Sequence, residues 1–276
     1  PTRRSSDLRM IMQTVNLYDR IEMDRTEDGV IRTETNLPFV PDGEGNLAWR
    51  AAKLLLDEKG IKDGVTIKIR KYIPVAAGMA GGSTDAAAVL VGVNRMFDLG
   101  FTKKELMERG VKLGADVPYC IMRGTALSEG IGEILTELPA PPQCHLVIAK
   151  PQISVSTKAV YGKLRVNELA PEEHPDIDGM MAAIKNGDLD GVIERLGNVL
   201  ETVTVPDHPE IARIKEMMME NGACGSLMSG SGPTVFGIYK DRELAEKACQ
   251  ALREADGGRL TRQVYLTEFY NRKKAR

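Results

Sequence analysis

Cysteine, histidine and tryptophan are scarce in this chain of 276 residues, which holds four, three and one of them. Cys120, Cys144, Cys224 and Cys249 lie far apart with no Cys-x-x-Cys pair, and His145, His174 and His208 form no ligand cluster. That argues against a disulfide framework and against structural zinc. No apolar run approaches the ~18 residues of a membrane span, and no charged-then-apolar leader opens the chain. Neither sign of charge dominates: a formal net charge of −2 leaves no electrostatic footprint for nucleic acid or an anionic membrane. With 42% hydrophobic and 28% charged residues the chain reads as globular and long enough for two domains. These absences predict a cytoplasmic protein with neither nucleic acid nor membrane as a partner.

Glycine is not scarce, and it gathers in PVAAGMAGGSTDAAAVL, residues 74–90. Upstream, Val65, Ile67 and Ile69 alternate with Thr66, Lys68 and Arg70, the period of a half-buried strand. Downstream, residues 86–93 are apolar and free of proline, as a helix requires. Gly78, Gly81 and Gly82 are expected to supply positive φ or close backbone approach, and Ser83 the helix N-cap. Free N–H groups and the positive end of a helix dipole then converge on one spot, which suits a phosphate. The stretch is not a Walker loop, because no Lys-Ser/Thr follows its last glycine, and it is not GxGxxG. Residues 74–84 contain no lysine or arginine, so a phosphate there would be held by backbone N–H groups. Tight strand-to-helix packing is the alternative use of these glycines.

The chain opens PTRRSSDL, which resembles the conceptual translation of a sequencing adapter and is expected to be an artefact over residues 1–8. Strand patterns run over 10–17 and 30–35 with Asp28-Gly29 as a turn. Asn46 reads as the N-cap of a helix ending at Gly60, with Leu47, Ala51, Leu54 and Leu55 on one face; Trp49 reads as packing. Thr102 and Glu105 form a capping-box pattern for a helix to about residue 113. Strands follow at 125–128 and 134–138. The proline-rich joint PAPPQ places a domain boundary at 143/144. Beyond it come a strand at 145–149, helices at 157–164, 180–185, 189–200 and 209–220, strands at 223–228 and 234–239, a helix at 242–254 and a strand at 261–267. With the extra helices set aside, that is the βαββαβ order of a ferredoxin-like domain.

Three features outside the glycine loop could carry chemistry. Asp116 sits in the apolar run Gly-Ala-Asp-Val-Pro, where a charge without a use is costly; a turn or capping aspartate is the plainer reading. The Ser-Gly-Ser-Gly run at 229–232 lies between two strand patterns and reads equally as a hairpin bend, its Pro233 suiting entry to an edge strand. Thr157 and Tyr161 fall four apart on one helix face, with core packing as the alternative for Tyr161.

The stretch at 74–88 resembles the second motif of the GHMP kinases, the superfamily of galactokinase, homoserine kinase and mevalonate kinase. RMIMQTVNLYDRI from Arg9, GADVPYCIMRGTALSEGIGE from Gly114 and SLMSGSGPTVFGIY from Ser226 extend the resemblance over nearly the whole chain. Within the superfamily they point to the branch that phosphorylates a cytidine-diphosphate-linked methylerythritol in non-mevalonate isoprenoid synthesis. The resemblance implies an α+β fold of two domains, a ribosomal-protein-like N-terminal domain over 1–143 and a ferredoxin-like C-terminal domain over 144–276. It implies ATP and Mg²⁺ as cofactors, a small-molecule cytidyl substrate, and an active site between the domains. Pro74, Val75, Ala76, Ala77, Gly78, Met79, Ala80, Gly81, Gly82, Ser83 and Thr84 would bind ATP, with Asn46 near the base. Asp116 would be the general base, Gly230 and Ser231 would close over the phosphates, and Thr157 and Tyr161 would meet the cytidine. The sequence names no metal ligand and no oligomer. It also departs from the family: a Lys-x-Asn-Leu strand and an Asp-Gly-Tyr-His turn are absent, and the pattern begins only at Arg9. Another small-molecule GHMP kinase, of homoserine or mevalonate type, or a non-catalytic nucleotide-binding homologue therefore stand as alternatives.

Overall fold

The computed structural model describes residues 9–270; the expected artefact at 1–8 lies outside the described residues. The first half of the chain runs β1 (Met10–Gln13), β2 (Arg20–Thr26), β3 (Ile31–Thr35), α1 (Leu47–Lys59), β4 (Gly64–Arg70), α2 (Gly81–Met96), α3 (Lys103–Gly110), α4 (Val117–Met122), β5 (Thr125–Glu129) and β6 (Ile134–Leu138). β4 is the middle strand of a three-stranded sheet, antiparallel to β2 and parallel to β3. Its Val65, Ile67 and Ile69 face α1 and α2 and are almost fully buried. Small residues at the helix contact, Ala48, Ala51 and Ala52 on α1 and Ala86 and Ala87 on α2, let the backbones approach, while Leu55, Leu56 and Leu90 fill the space beside them. Each buried leucine contributes ~1.5–3 kcal/mol. β1, β5 and β6 form a second sheet in that order.

After residues 139–144, which carry no regular element, β7 (His145–Pro151) opens a separate sheet. It is followed by α5 (Thr157–Lys163), α6 (Ile177–Asn186), α7 (Leu189–Glu194), α8 (Glu201–Asp207), α9 (Pro209–Glu220), β8 (Gly225–Met228), β9 (Val235–Tyr239), α10 (Arg242–Glu254) and β10 (Thr261–Glu268). The four strands lie in the order β10-β7-β9-β8, all neighbours antiparallel. With α9 and α10 as the two crossovers, this is the ferredoxin-like order. Val147 and Ala149 point into the core against those helices; Leu146 and Ile148 point to the opposite face, where Leu146 packs with Phe269, with Val15 from the first half of the chain and with Leu189 and Ile193 of α7, and both line a cleft.

Several expectations need correction. The strand read over 10–17 ends at Gln13, and β2 was not read at all, although Ile21 and Met23 alternate with charged residues there. The buried stripe of α1 is Ala48, Ala51, Ala52, Leu55 and Leu56, so Leu47 and Leu54 lie at its margin. α3 stops at Gly110 rather than near 113, and α4 had no counterpart in the reading. The single helix read over 189–200 breaks after Glu194, and a new one starts at Glu201. β9 is an inner strand, not an edge; Pro233 precedes it and takes no donor from the ladder. The Asn46 cap, the αL Gly60 and both bonds of the Thr102–Glu105 capping box are present.

Candidate active site

The face of the ferredoxin-like sheet opposite its helices, the 74–84 loop and the start of α4 enclose one cleft of about 2110 Å³. Every residue expected in the site lines it: Asn46, residues 74–84, Asp116, Thr157, Tyr161, Gly230 and Ser231.

The 74–84 loop enters α2 differently from the reading. The N-cap is Ala80, not Ser83, and it makes no side-chain cap. Positive φ falls on Ala76 (51°), Gly78 (68°) and Ala80 (49°), while Gly81 and Gly82 are helical. Gly81 and Gly82 are therefore not required there for positive φ. A Cβ at Gly82 would meet only Leu47, at 3.6 Å, so the protein itself leaves room there. Gly78 is the position that needs glycine: a Cβ would stand 2.1 Å from the Ser229 carbonyl oxygen. Through that close approach the Ser229 hydroxyl donates to the Gly78 carbonyl at 2.8 Å and docks the 229–232 loop on the first half of the chain. The opening turn of α2 keeps amides without helical partners, and they border the cleft.

The 229–232 loop is braced from behind by residues that sequence reasoning missed. Asn198 donates to the carbonyls of Met228 (2.9 Å) and Gly230 (2.8 Å), and Thr204 to that of Ser231 (3.3 Å). Asn198 lies in the break between α7 and α8, where the sequence predicts continuous helix. Ser231 is buried, and its hydroxyl pairs with that of Thr157 at 2.8 Å, tying α5 to the loop.

Asp116 occupies the N-cap position of α4 but makes no capping bond, and burial alone pushes its carboxyl above the usual range. No hydrogen-bond partner reaches it among the described residues. Across the cleft, burial raises the Tyr161 hydroxyl and the charge of Asp116 raises it further, so the two side chains share one field. Asn46 is fully engaged: it accepts from the Ala48 amide at 2.9 Å and donates to the Pro41 carbonyl at 2.9 Å. Trp49 donates to the Ile31 carbonyl, as a packing residue does.

A cation was also missed. Lys71 sits three residues ahead of the 74–84 loop, and its ammonium lies behind the opening residue of α2, 3.4 Å from where a Gly81 Cβ would be. It is buried between Asp19 and Asp85.

The chain resembles known proteins over nearly its whole length. The model of the GHMP kinases N terminal domain matches residues 46–124, and that of the GHMP kinases C terminal domain matches 180–257. A 4-diphosphocytidyl-2-C-methyl-D-erythritol kinase of Lachnospira eligens is 53% identical over 264 residues, covering 96% of this chain and 90% of the relative. The chain belongs to the 4-diphosphocytidyl-2-C-methyl-D-erythritol kinase family. The relative of that name from Clostridium perfringens is 50% identical over 96% of this chain and 90% of its own length. A crystal structure of a 4-(cytidine 5'-diphospho)-2C-methyl-D-erythritol kinase superposes with a TM-score of 0.79 at 29% identity, covering 95% of this chain and 90% of the other. Homoserine kinase from Cytophaga hutchinsonii superposes as well, at 0.80, but at 20% identity that shows the fold alone. No helix among the described residues is long and apolar enough to cross a membrane.

Proposed function

We infer that the chain transfers the γ-phosphoryl group of ATP to a hydroxyl of 4-diphosphocytidyl-2-C-methyl-D-erythritol. The observation that carries this reading is Asp116: a carboxylate with no partner among the described residues, facing Tyr161 in the cleft that the 74–84 loop also lines. The backbone N–H groups of that loop hold the triphosphate, and Gly230 and Ser231 close its outer side. Thr157 and Tyr161 meet the cytidine end. Asp116 accepts the proton of the attacking hydroxyl as the new P–O bond forms and the bond to the ADP oxygen breaks. Burial favours this role because it raises the basicity of the carboxylate towards neutral pH. Asn46 acts as a helix cap, since its amide is already satisfied on both sides.

Mg²⁺ fits the site as an ion carried by the triphosphate. Among the described residues no three His, Cys, Asp or Glu side chains come together to cage a metal, and Mg²⁺ characteristically keeps phosphate oxygens and waters. When bound it would neutralise charge on the phosphates. The two domains are proposed to meet at 143/144, between the two matched models. An ATP donor also supports the cytoplasmic location expected from the sequence.

The test is ADP release from ATP with a panel of acceptors: the cytidyl methylerythritol, homoserine and mevalonate. It is run on the chain as it stands and with a Lys-x-Asn-Leu strand and Asp-Gly-Tyr-His turn ahead of Arg9. Turnover of the cytidyl acceptor alone is expected. Preference for either of the others would overturn the substrate.

A further inference from the structure

Asp19, Lys71 and Asp85 hold no role in the reaction above, yet they are the most enclosed ion pairs among the described residues, with side chains 2%, 3% and 7% exposed. They come from three places: just ahead of β2, just past β4, and the second turn of α2. Lys71 Nζ donates to Asp19 and, at 2.7 Å, to Asp85 Oδ2. Asp19 Oδ1 also accepts the amides of Tyr72 (2.6 Å) and Ile73 (2.9 Å), which pins the chain as it enters the 74–84 loop. Asp85 Oδ1 is buried with no partner. All three residues line the cleft.

Two carboxylates against one ammonium leave one uncompensated negative charge when all three are ionised. In an enclosed site that charge is costly. It resides on Asp85, because both oxygens of Asp19 are engaged by Lys71 and the two amides. Burial raises the Asp85 carboxyl most, Lys71 lowers it, and facing Asp19 raises it again, leaving it pushed up to about 7. From α4 the Cys120 thiol also faces this group; burial pushes it up to about 12, so it stays neutral. Asp116, at the start of α4, acts on Cys120 as well and adds a further negative charge on that side. A nucleoside triphosphate at the opening of α2 would bring several more negative charges towards the same three side chains, disfavouring the Asp85 carboxylate further.

We propose that the trio is a proton-linked counterweight beneath the phosphate cradle: Lys71 positions the first turn of α2, and Asp85 takes up a proton from solvent when a triphosphate binds. One O–H bond forms at Asp85 and the trio passes from a net charge of −1 to neutral; no electrons move. By linkage, binding of the triphosphate then strengthens as pH falls through the range in which Asp85 titrates. The proposal rests on the reading of 74–84 as the ATP site.

Calorimetric titration of the full chain with ATP, repeated near pH 7 in buffers of different ionisation enthalpy, counts the protons exchanged on binding. The phosphate protons of ATP contribute equally to the wild-type chain and to Asp85→Asn, so the difference between the two belongs to the trio. Expected is a fraction of a proton taken up by the wild type beyond Asp85→Asn, with the difference fading well above and well below neutral pH. Asp19→Asn, which neutralises the trio from the other side, should lose the uptake too. Equal proton counts in the wild type and a folded variant overturn the proposal while leaving the ATP site intact. Should neither variant fold, infrared difference spectra of the wild type with and without ATP read the carboxyl itself, and the lack of a new protonated-carboxyl band at neutral pH overturns it equally. Absence of any ATP binding overturns the cradle and this proposal together.

Discussion

Asp85 and Asp116 line the same cleft, each near the start of a helix, and burial pushes both carboxyls above the ordinary range. Their surroundings differ. Asp85 is held by the Lys71 ammonium and faces Asp19, whereas Asp116 has only its burial. A buried carboxylate whose oxygen is bound to a cation has its lone pairs directed and holds separate segments together. One left without a partner has its oxygens open to a hydroxyl brought by a substrate. Burial alone therefore does not distinguish a structural charge from a reactive one; the partner does.

The largest effect that would test this contrast is on turnover. With the Lys-x-Asn-Leu strand and Asp-Gly-Tyr-His turn ahead of Arg9, Asp116→Asn should lower kcat by about two to four orders of magnitude, the scale of general base catalysis, and leave KM for ATP within a few-fold. Asparagine keeps the shape and cannot take the proton. Steady-state rates close to those of the parent would make Asp116 structural and erase the distinction.

Next comes stability, where the roles reverse. Lys71→Met removes the one cation between two buried carboxylates, and breaking a buried pair in this way costs about 3–5 kcal/mol. Urea unfolding should show the midpoint falling sharply with the slope unchanged. A loss under about 1 kcal/mol would mean that water reaches the trio and that Lys71 contributes no more than a surface ion pair does.

The same contrast explains what the sequence could and could not show. Helices α1, α9 and α10 and strands β4, β7 and β10 were legible because each carries its own signal: Asn46 and Gly60 bracket α1, and Pro209 opens α9. That the glycine loop, Asp116 and the 229–232 loop belong to one cleft was legible through motif and resemblance. Lys71, Asp19 and Asp85 were not, because their meaning is a meeting of residues 52 and 14 positions apart, and nothing local marks a lysine just past an alternating strand as buried. Asn198 is a different case: Gly197-Asn198 is a local break signal, and Asn198 Oδ1 accepts from the Leu200 amide at 3.0 Å, but the apolar residues on either side continue a helical period across it. Gly78 was seen as a glycine, but its reason is the Ser229 carbonyl 151 residues away.

The smallest expected effect is also the one that separates the two carboxylates most cleanly. Burial without a partner raises the folded-state pKa of Asp116 above its unfolded value. The folded chain then binds that proton more tightly than the unfolded chain, so this group's contribution to stability falls as pH rises from the ordinary carboxylate range through the raised pKa, and levels off above it. At neutral pH the charged Asp116 therefore weighs against the fold, and Asp116→Asn, so damaging to turnover, should raise the melting temperature slightly. The gain should shrink as pH is lowered through that window, because the wild-type carboxyl becomes protonated and neutral like the amide. Asp85→Asn should follow a different course, because relief of its buried charge is set against the loss of a cation-bound oxygen that holds Lys71. Paired thermal melts of both variants from mildly acidic to neutral pH measure this directly. An Asp116→Asn chain that melts below the wild type at neutral pH would show that Asp116 is engaged by the fold after all.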